Sequence, residues 1–398
     1  MSKLLHPRFL YLLMLSLLLT GCAGKQGPAP VASAAEEASQ YDSLRAAVLQ
    51  NHARGVHRTW ALSSDRANDL LASVQVFLAA PDDEALQVAK AAWIDARKAY
   101  SPSEVFRFQG GPIDDEDGPE GQINGWPLDE AYIDYVIDQV NPGLIQDRAG
   151  LPSIDAAALI ERNEVGGEEN IATGWHAVEF LLWGQDVSAE GPGSRSHTDY
   201  LPESDNASRR GAYLEAVSGL LVEDLKRLAL EWAETDNNNY GKVFVERGDK
   251  AVAGLLTGLA MLAGDELAGE RIAVAFETRD QEDEQSCFSD TTHLDIIANI
   301  VGMQQMYRGT LGGQTGPGPR DLVASFDGEA AQQLDTAIHD ALVLAQALTP
   351  PFDQAIQAAD ESEPRAQLSK LMTQLEAVAQ STAKAAEAMA LQINLAGH

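Results

Sequence analysis

Helices throughout, gathered into two halves, are the expectation for this 398-residue chain, and three features support it. Apolar residues recur at intervals of three and four, as in Ala85, Ala89, Ala92, Trp93, Ala96 and Tyr100, or Leu371, Leu375, Val378, Thr382, Ala385, Met389 and Ile393. Alternating β-branched runs bounded by turn signals, the mark of strands, are almost absent. With 45% hydrophobic residues the chain can bury a sizeable core.

The N-terminus is not part of that core. Lys3, His6 and Arg8 form a basic opening, and Phe9 to Leu19 is an apolar run too short to span a bilayer comfortably. "LTGC", Leu19 to Cys22, resembles a bacterial lipobox, which implies a cut before Cys22 and a lipid on its thiol. An ordinary signal peptide with an incidental cysteine is the alternative. Ala23 after the cysteine implies sorting to an outer membrane. Residues 1–21 are thus read as a lipoprotein signal peptide and 22–39 as a small-residue, Pro-containing lipidated tether. Such a terminus anchors the protein without a transmembrane helix. Cys287 is the only other cysteine, so with Cys22 acylated no disulfide forms and the core alone holds the fold.

Beyond the tether, "RANDLLASVQVFLAA" and the Ala85–Tyr100 pattern read as helices, followed by a long Gly-, Pro- and Asp-rich loop, Ser101 to Pro127. A structureless loop of that length is uncommon unless functional. Gly184 to Ser208 is a second such loop and Gly309 to Asp321 a third. "RRGAYLEAVSGLLVEDLKRLALEWAE", between the second and third, and "AAQQLDTAIHDALVLAQAL", after the third, are helical. The polar, turn-forming stretch around Thr235 to Gly241 divides an N-terminal bundle, 40–235, from a C-terminal one, 240–398. The formal net charge is −32, and loss of residues 1–21 removes Lys3 and Arg8, making the remainder two charges more negative. Such a surface repels nucleic acid and anionic headgroups and attracts cations. Adaptation to a salty medium is the plainer reading of the same charge.

Chemistry centres on "GWHAVEFLLWGQD", Gly174 to Asp186. Apolar groups surround nearly the whole helix, which belongs inside a protein, yet His176 and Glu179 sit in its middle. Residues three apart lie on one helix face with β-carbons about 5–6 Å apart, so an imidazole nitrogen and a carboxylate oxygen can converge on one cation. Coordination requires the neutral imidazole. A buried His–Glu hydrogen bond tying two helices is the alternative. "DEQSCFSDTTHLD" repeats the theme with Asp290 and His293, three apart, at the start of the apolar run "LDIIANIVGMQQMY". There Ser289 or Asp290 could instead cap the helix, and Thr292 with Asp295 fits a capping box. Cys287 reads as a small buried hydrophobe or a soft ligand. In the first loop Glu104, between a helix end and Phe106 and Phe108, is the better ligand candidate. The run Asp114 to Asp117 matches no EF-hand and reads as a solvated acidic loop.

Several catalytic signatures are missing: HExxH, CxxCH, GxSxG, a Walker A loop and GxGxxG. A di-iron bundle uses two ExxH motifs and two further glutamates; one HxxE and one DxxH match it only in part.

"GWHAVEFLLWGQD" resembles the GxHxxE signature of the imelysin-like family, with Gly174, His176 and Glu179 in the signature positions. The resemblance runs from about Ala46 to the C-terminus. It takes in "AWIDARKAYSPSEVFRF", "GPID", "INGWPLDE", "ERGDKAVAGLLTGLAMLAGDELAGERI" and "EDEQSCFSDTTHLD", and is closest to the iron-regulated, periplasm-facing branch. It implies two helical-bundle halves packed together with the functional site between them, and a part in iron acquisition. Some relatives are called insulin-cleaving metallopeptidases, an activity that the missing HExxH puts in question. By position, the resemblance makes His176 and Glu179 metal ligands with Glu104 a third, and Arg107, Ser289, Asp290 and His293 cleft residues. The expectation is therefore a lipid-anchored all-α protein, periplasm-facing or on the surface, that binds iron, with zinc as the alternative metal. Its partners would be the metal ion or a small iron chelate, envelope iron-uptake proteins, and the membrane through Cys22. A zinc-dependent peptidase and a metal-free structural or interaction lipoprotein are the competing readings. The peptidase would need a general base, for which Glu104 is the only nominee.

Overall fold

Helix α1 (Ala34–Ala79) opens the structure, a computed structural model that describes residues 34–116, 118–137, 143–234, 238–349 and 351–394. The expected signal peptide and Cys22 lie outside the described residues. The expected tether does so up to residue 33, and its last residues already belong to α1. Of the unit Met1–Gln40 only these helical turns are described; Tyr41–His398 forms one compact unit.

Within that unit α1 buries Trp60 against Tyr100 and Phe106, with ring centroids 6.0 and 5.7 Å apart. Full burial of a large apolar side chain contributes roughly 1.5–3 kcal/mol. Helix α2 (Asp83–Tyr100) starts at Asp82, whose carboxylate accepts the Ala85 N–H at 2.8 Å. Its expected stripe of Ala89, Trp93, Ala96 and Tyr100 is buried. Pro102 follows, and the chain tightens into a 3-10 turn, Ser101–Phe106. The first expected loop is thus partly structured. It holds this turn and a short helix, α3 (Glu120–Asn124).

Short helices α4 (Glu130–Ile133) and α5 (Ala156–Ile160) lead to α6 (Gly174–Trp183), all ten residues of which are buried. It packs on α2, α3 and α7 (Ala207–Glu231). The second expected loop is pinned by Asp134, which takes Arg195 Nη1 at 2.8 Å and Arg210 Nε at 2.7 Å. The expected boundary falls between α7 and α8 (Tyr240–Glu246), where residues 235–237 are outside the described set.

Helix α9 (Asp249–Thr278) is a 30-residue apolar element. It is long and apolar enough to cross a membrane, but its most apolar window is mostly buried in the fold. Its middle, Leu262–Ala273, is wound as a π-helix, a form that is rare and frequent at functional sites. Helices α10 (Thr292–Arg308), α11 (Pro319–Phe326), α12 (Gly328–Gln346), α13 (Phe352–Gln357) and α14 (Glu363–Ala388) complete the chain. Helix α14 packs along α9 and α12, and α12 along α10. The Ser101–Phe106 turn lies on α10 and α9, which joins the α2 region to the later helices. No β-strand occurs among the described residues, as an all-α fold requires.

Candidate functional site

Gly174 sets the entry to α6. Its φ of +83° is open to glycine, and a β-carbon there would stand 2.4 Å from the Ile123 carbonyl oxygen. Two residues on, His176 is 1% exposed and Glu179 0%. The imidazole Nδ1 and Glu179 Oε2 are 2.9 Å apart, a hydrogen bond within one helix rather than between two. The tie between elements is made by the other oxygen. Glu179 Oε1 accepts the backbone N–H of Ser289 at 3.0 Å and its hydroxyl at 2.6 Å. His176 Nε2 is buried without any partner.

Burial holds the His176 imidazole well below its ordinary pKa, assisted by the nearby charges of Arg97 and Arg271. Burial pushes the Glu179 carboxyl up to about 8, against the opposing pull of the Ser289 hydrogen bond. At neutral pH the pair is a neutral imidazole beside a largely protonated carboxyl.

Glu104 is buried in the turn after α2, and belongs to a different network. Its Oε2 accepts Arg271 Nη2 at 2.5 Å and Arg107 Nη1 at 3.4 Å, and its Oε1 accepts Asn124 Nδ2 at 3.3 Å. Burial alone would raise this carboxyl, but Arg271 and then Arg107 bring it down to about 2. Arg271 and Glu266, 2.9 Å apart, both stand on the π-wound part of α9. Arg107 also reaches Glu266 at 2.6 Å. Asn124 passes the network to Arg97, whose Nε donates to Asp295 at 2.9 Å.

The capping readings near α10 do not hold. The helix starts after Thr291 with no side-chain cap. Thr292 Oγ1 accepts the Ser286 N–H, while the Asp295 carboxylate is buried and taken by Arg97, Ser101 and Ser286. Asp290 has a φ of +55° and no hydrogen-bond partner on either carboxylate oxygen. It converges instead with Glu284 and Asp353, with ligand oxygens within 4.8 Å of one another. Among the described residues His176, Glu179 and Glu104 do not converge in that way. His293 stands half-buried in the first turn of α10, its Nδ1 unpartnered. Cys287 is a buried free thiol within the core.

Two clefts flank these residues. One, of about 480 Å³, is lined by Arg107, Glu120, Asn124, Trp126, Glu266 and Arg271. The other, of about 500 Å³, is lined by Lys90, Trp183, Arg195 and Ser289 among others. His176 and Glu179 line neither. Glu104 lies beneath the two arginines of the first, and Ser289 connects Glu179 to the second. Sequence reasoning missed Arg97, Asn124, Arg271 and Glu266, and read Asp295 only as part of a cap. A charged residue inside an apolar helical stripe was the available signal for Arg97 and Arg271. Nothing in sequence pointed to Asp353.

The family model of imelysin (peptidase family M75) matches residues 56–382. Iron-regulated protein A of Synechococcus elongatus is 26% identical over 245 residues, 61% of this chain and 58% of its own length. The chain thus spans less than two thirds of that relative. A crystal structure described as an iron-regulated protein A precursor from Parabacteroides distasonis superposes with a TM-score of 0.67. It is 15% identical and covers 86% of this chain and 95% of its own, so it bears on the fold alone. The GxHxxE helix, the all-α architecture and the extent of the family match agree, and the chain belongs to the imelysin family.

Proposed function

We propose that this protein takes part in iron acquisition at the cell envelope, and that its metal contact is the His176–Glu179 pair. The observation that carries this reading is His176 Nε2, buried and without a partner while Nδ1 is fixed by Glu179. A histidine that holds one ring nitrogen on a carboxylate and leaves the other free is the arrangement of a metal ligand. An orphaned buried nitrogen is otherwise a cost to the fold. An imidazole donor suits iron, with zinc as the alternative. The name of one relative, iron-regulated protein A, favours iron. The excess of acidic residues supports cation capture by raising local cation concentration at low salt. Ser289, hydrogen-bonded to Glu179, holds the pair in place. In this arrangement Glu104 anchors Arg271 and Arg107 at the cleft wall, and serves as a ligand only if they release it. Lipid on Cys22 would place the protein at the outer membrane, facing the periplasm or the outside.

The peptidase reading is weaker. Glu104, held near a pKa of 2 by two arginines, is a poor proton acceptor at neutral pH. Glu179, the other carboxylate beside His176, is fully buried and lines neither cleft, which favours a small ion over an extended polypeptide.

The test is metal analysis of protein purified without chelator, in wild type, His176→Ala and Glu179→Ala. Each variant should bind iron at least tenfold more weakly, a loss of about 1.4 kcal/mol or more. Equal iron content in all three removes the assignment. Metal-loaded protein should leave unfolded polypeptide intact; cleavage lost in Glu179→Ala would turn the reading to the enzyme. Mass spectrometry of membrane-extracted protein checks lipid on Cys22.

A further inference from the structure

Glu284, Asp290 and Asp353 come from separate segments, the approach to α10 and the start of α13, yet their carboxylates meet within 4.8 Å. Glu284 and Asp353 are 0% exposed and Asp290 is 6%. None of their six carboxylate oxygens has a hydrogen-bond partner. Asp186, just beyond the end of α6, is 2% exposed with Oδ2 likewise unpartnered, and its charge acts on Asp290. Ordinary acidic clusters face water. This one is enclosed, and buried carboxylates without partners are strongly unfavourable unless protons or a cation neutralise them.

We propose that Glu284, Asp290 and Asp353, with Asp186 at the edge, form a binding site for a hard divalent cation of calcium size. The donor set is oxygen only, which suits calcium, magnesium or manganese rather than a soft metal. Calcium takes oxygens at about 2.3–2.6 Å, so opposite ligands stand up to about 5 Å apart. Three oxygens within 4.8 Å of one another need at most a small inward shift to share such an ion. Magnesium, at about 2.0–2.1 Å, demands a near-ideal octahedron and keeps several waters, which a set of carboxylates from separate segments suits less well. Calcium also accepts irregular geometry and completes its shell with carbonyls and water. Burial, followed by repulsion from Asp353 and Asp186, pushes the Asp290 carboxyl up to about 7, and Glu284 lies well above its ordinary value. A cation entering the group therefore competes with protons.

The site is distinct from the proposed iron contact, since it contains no nitrogen donor and shares no residue with His176 and Glu179. Its consequence is structural. One ion would tie the segment after α6, the approach to α10 and the head of α13. Asp290 directly follows Ser289, whose two donors hold Glu179.

The test is calorimetric titration of chelator-treated, dialysed full-length protein with calcium chloride, with magnesium and manganese chlorides as parallel arms, and thermal melts of each state. Wild type should take up one calcium with a dissociation constant of roughly 10⁻³ M or below, and its melting temperature should rise. Glu284→Gln with Asp353→Asn should weaken uptake at least tenfold and raise the melting temperature of the metal-free protein, because repulsion is relieved. Asp290→Asn should act in the same direction to a smaller degree. His176→Ala should leave calcium uptake unchanged, which separates this site from the iron contact. Folded wild type that takes up no calcium at millimolar concentration overturns the proposal and assigns the cluster to shared protons. Undiminished uptake in the double variant overturns it too, as does a response to magnesium or manganese without one to calcium. If the variants do not fold, the wild-type titration and the His176→Ala control decide.

Discussion

Ser289 gives both of its donors, the backbone N–H at 3.0 Å and the hydroxyl at 2.6 Å, to a single oxygen of Glu179. The other Glu179 oxygen belongs to His176. A residue on the approach to α10 thereby fixes the α6 carboxylate, and the carboxylate fixes the imidazole. Two stretches 110 residues apart in sequence become one unit, and the properties of each group depend on the others.

The first consequence concerns stability against pH in the metal-free protein. Glu179 titrates at about 8 in the fold and near 4.5 in the unfolded chain. Between those values the folded state holds a proton that the unfolded state has lost. The stabilisation is complete below about 4.5 and disappears as pH rises through 8. Relative to Glu179→Gln, wild type should lose up to about 1.4 kcal/mol for each pH unit in that window. Denaturant midpoints of both proteins at pH 5, 6.5 and 8 measure it. A constant difference would mean that Glu179 is already ionised in the fold.

Metal uptake should follow the same carboxyl. From sequence alone, the expected pH dependence is that of an imidazole, with affinity falling as His176 takes up a proton. Burial and the charges of Arg97 and Arg271 keep His176 neutral well below its ordinary range, so the dependence moves to Glu179. Iron binding at His176 should release up to one proton below pH 8, and affinity should rise by up to tenfold per unit until it levels there. Calorimetry in two buffers of different ionisation enthalpy counts the proton. Glu179→Gln should abolish the release. Proton release that persists in this variant, with a midpoint near 6.5, would restore the imidazole as the controlling group.

The helices were legible because their signal is local: an apolar stripe every three or four residues, as in Ala89, Trp93 and Ala96, requires nothing from the rest of the chain. His176 and Glu179 stood out for the same reason, as polar groups inside an otherwise apolar helix. Glu104 was found through its place at a helix end, but its partners were not, because Arg271 lies 167 residues away and pairs with it only through the fold. Thr292 and Asp295 satisfied a capping pattern, yet the buried guanidinium of Arg97 outcompetes a solvent-side cap for Asp295. Asp353 carried no local signal. Its role depends on Glu284 and Asp290 converging from another segment.

The Glu104–Arg271 pair should be strongly coupled. Both are buried, and removal of one leaves the other with only its remaining partner, Arg107 for Glu104 and Glu266 for Arg271, so the loss stays below the roughly 3–5 kcal/mol of a fully uncompensated buried charge. Glu104→Gln and Arg271→Met should each lower stability at pH 7, while the double variant should lose less than the sum, with an interaction energy of about 0.5–3 kcal/mol. Glu104 titrates at about 2, below its ordinary 4.5. Its contribution is therefore present above about 4.5 and disappears as pH falls through 2. Urea unfolding of the four proteins at pH 7 gives the cycle; strict additivity would show that the two charges act independently.

Gly174 offers the sharpest test of why the motif begins with glycine. Its φ of +83° costs a residue with a side chain about 1–3 kcal/mol. A β-carbon there would also stand 2.4 Å from the Ile123 carbonyl oxygen and 2.8 Å from that of Gln122. Those are backbone atoms of α3, so they cannot swing aside as a flexible side chain would. Relief requires α6 to move away from α3, which would carry His176 and Glu179 away from Ser289. Gly174→Ala should therefore lower stability by about 2 kcal/mol or more and weaken metal binding as well, although residue 174 offers no ligand. Gly219, on α7, is the control, because a β-carbon there meets nothing within 4 Å. Gly219→Ala should be neutral to slightly stabilising by helix propensity. Thermal melts and metal titrations of the two variants make the comparison. Equal stability and equal affinity for both would remove the steric account of the motif glycine.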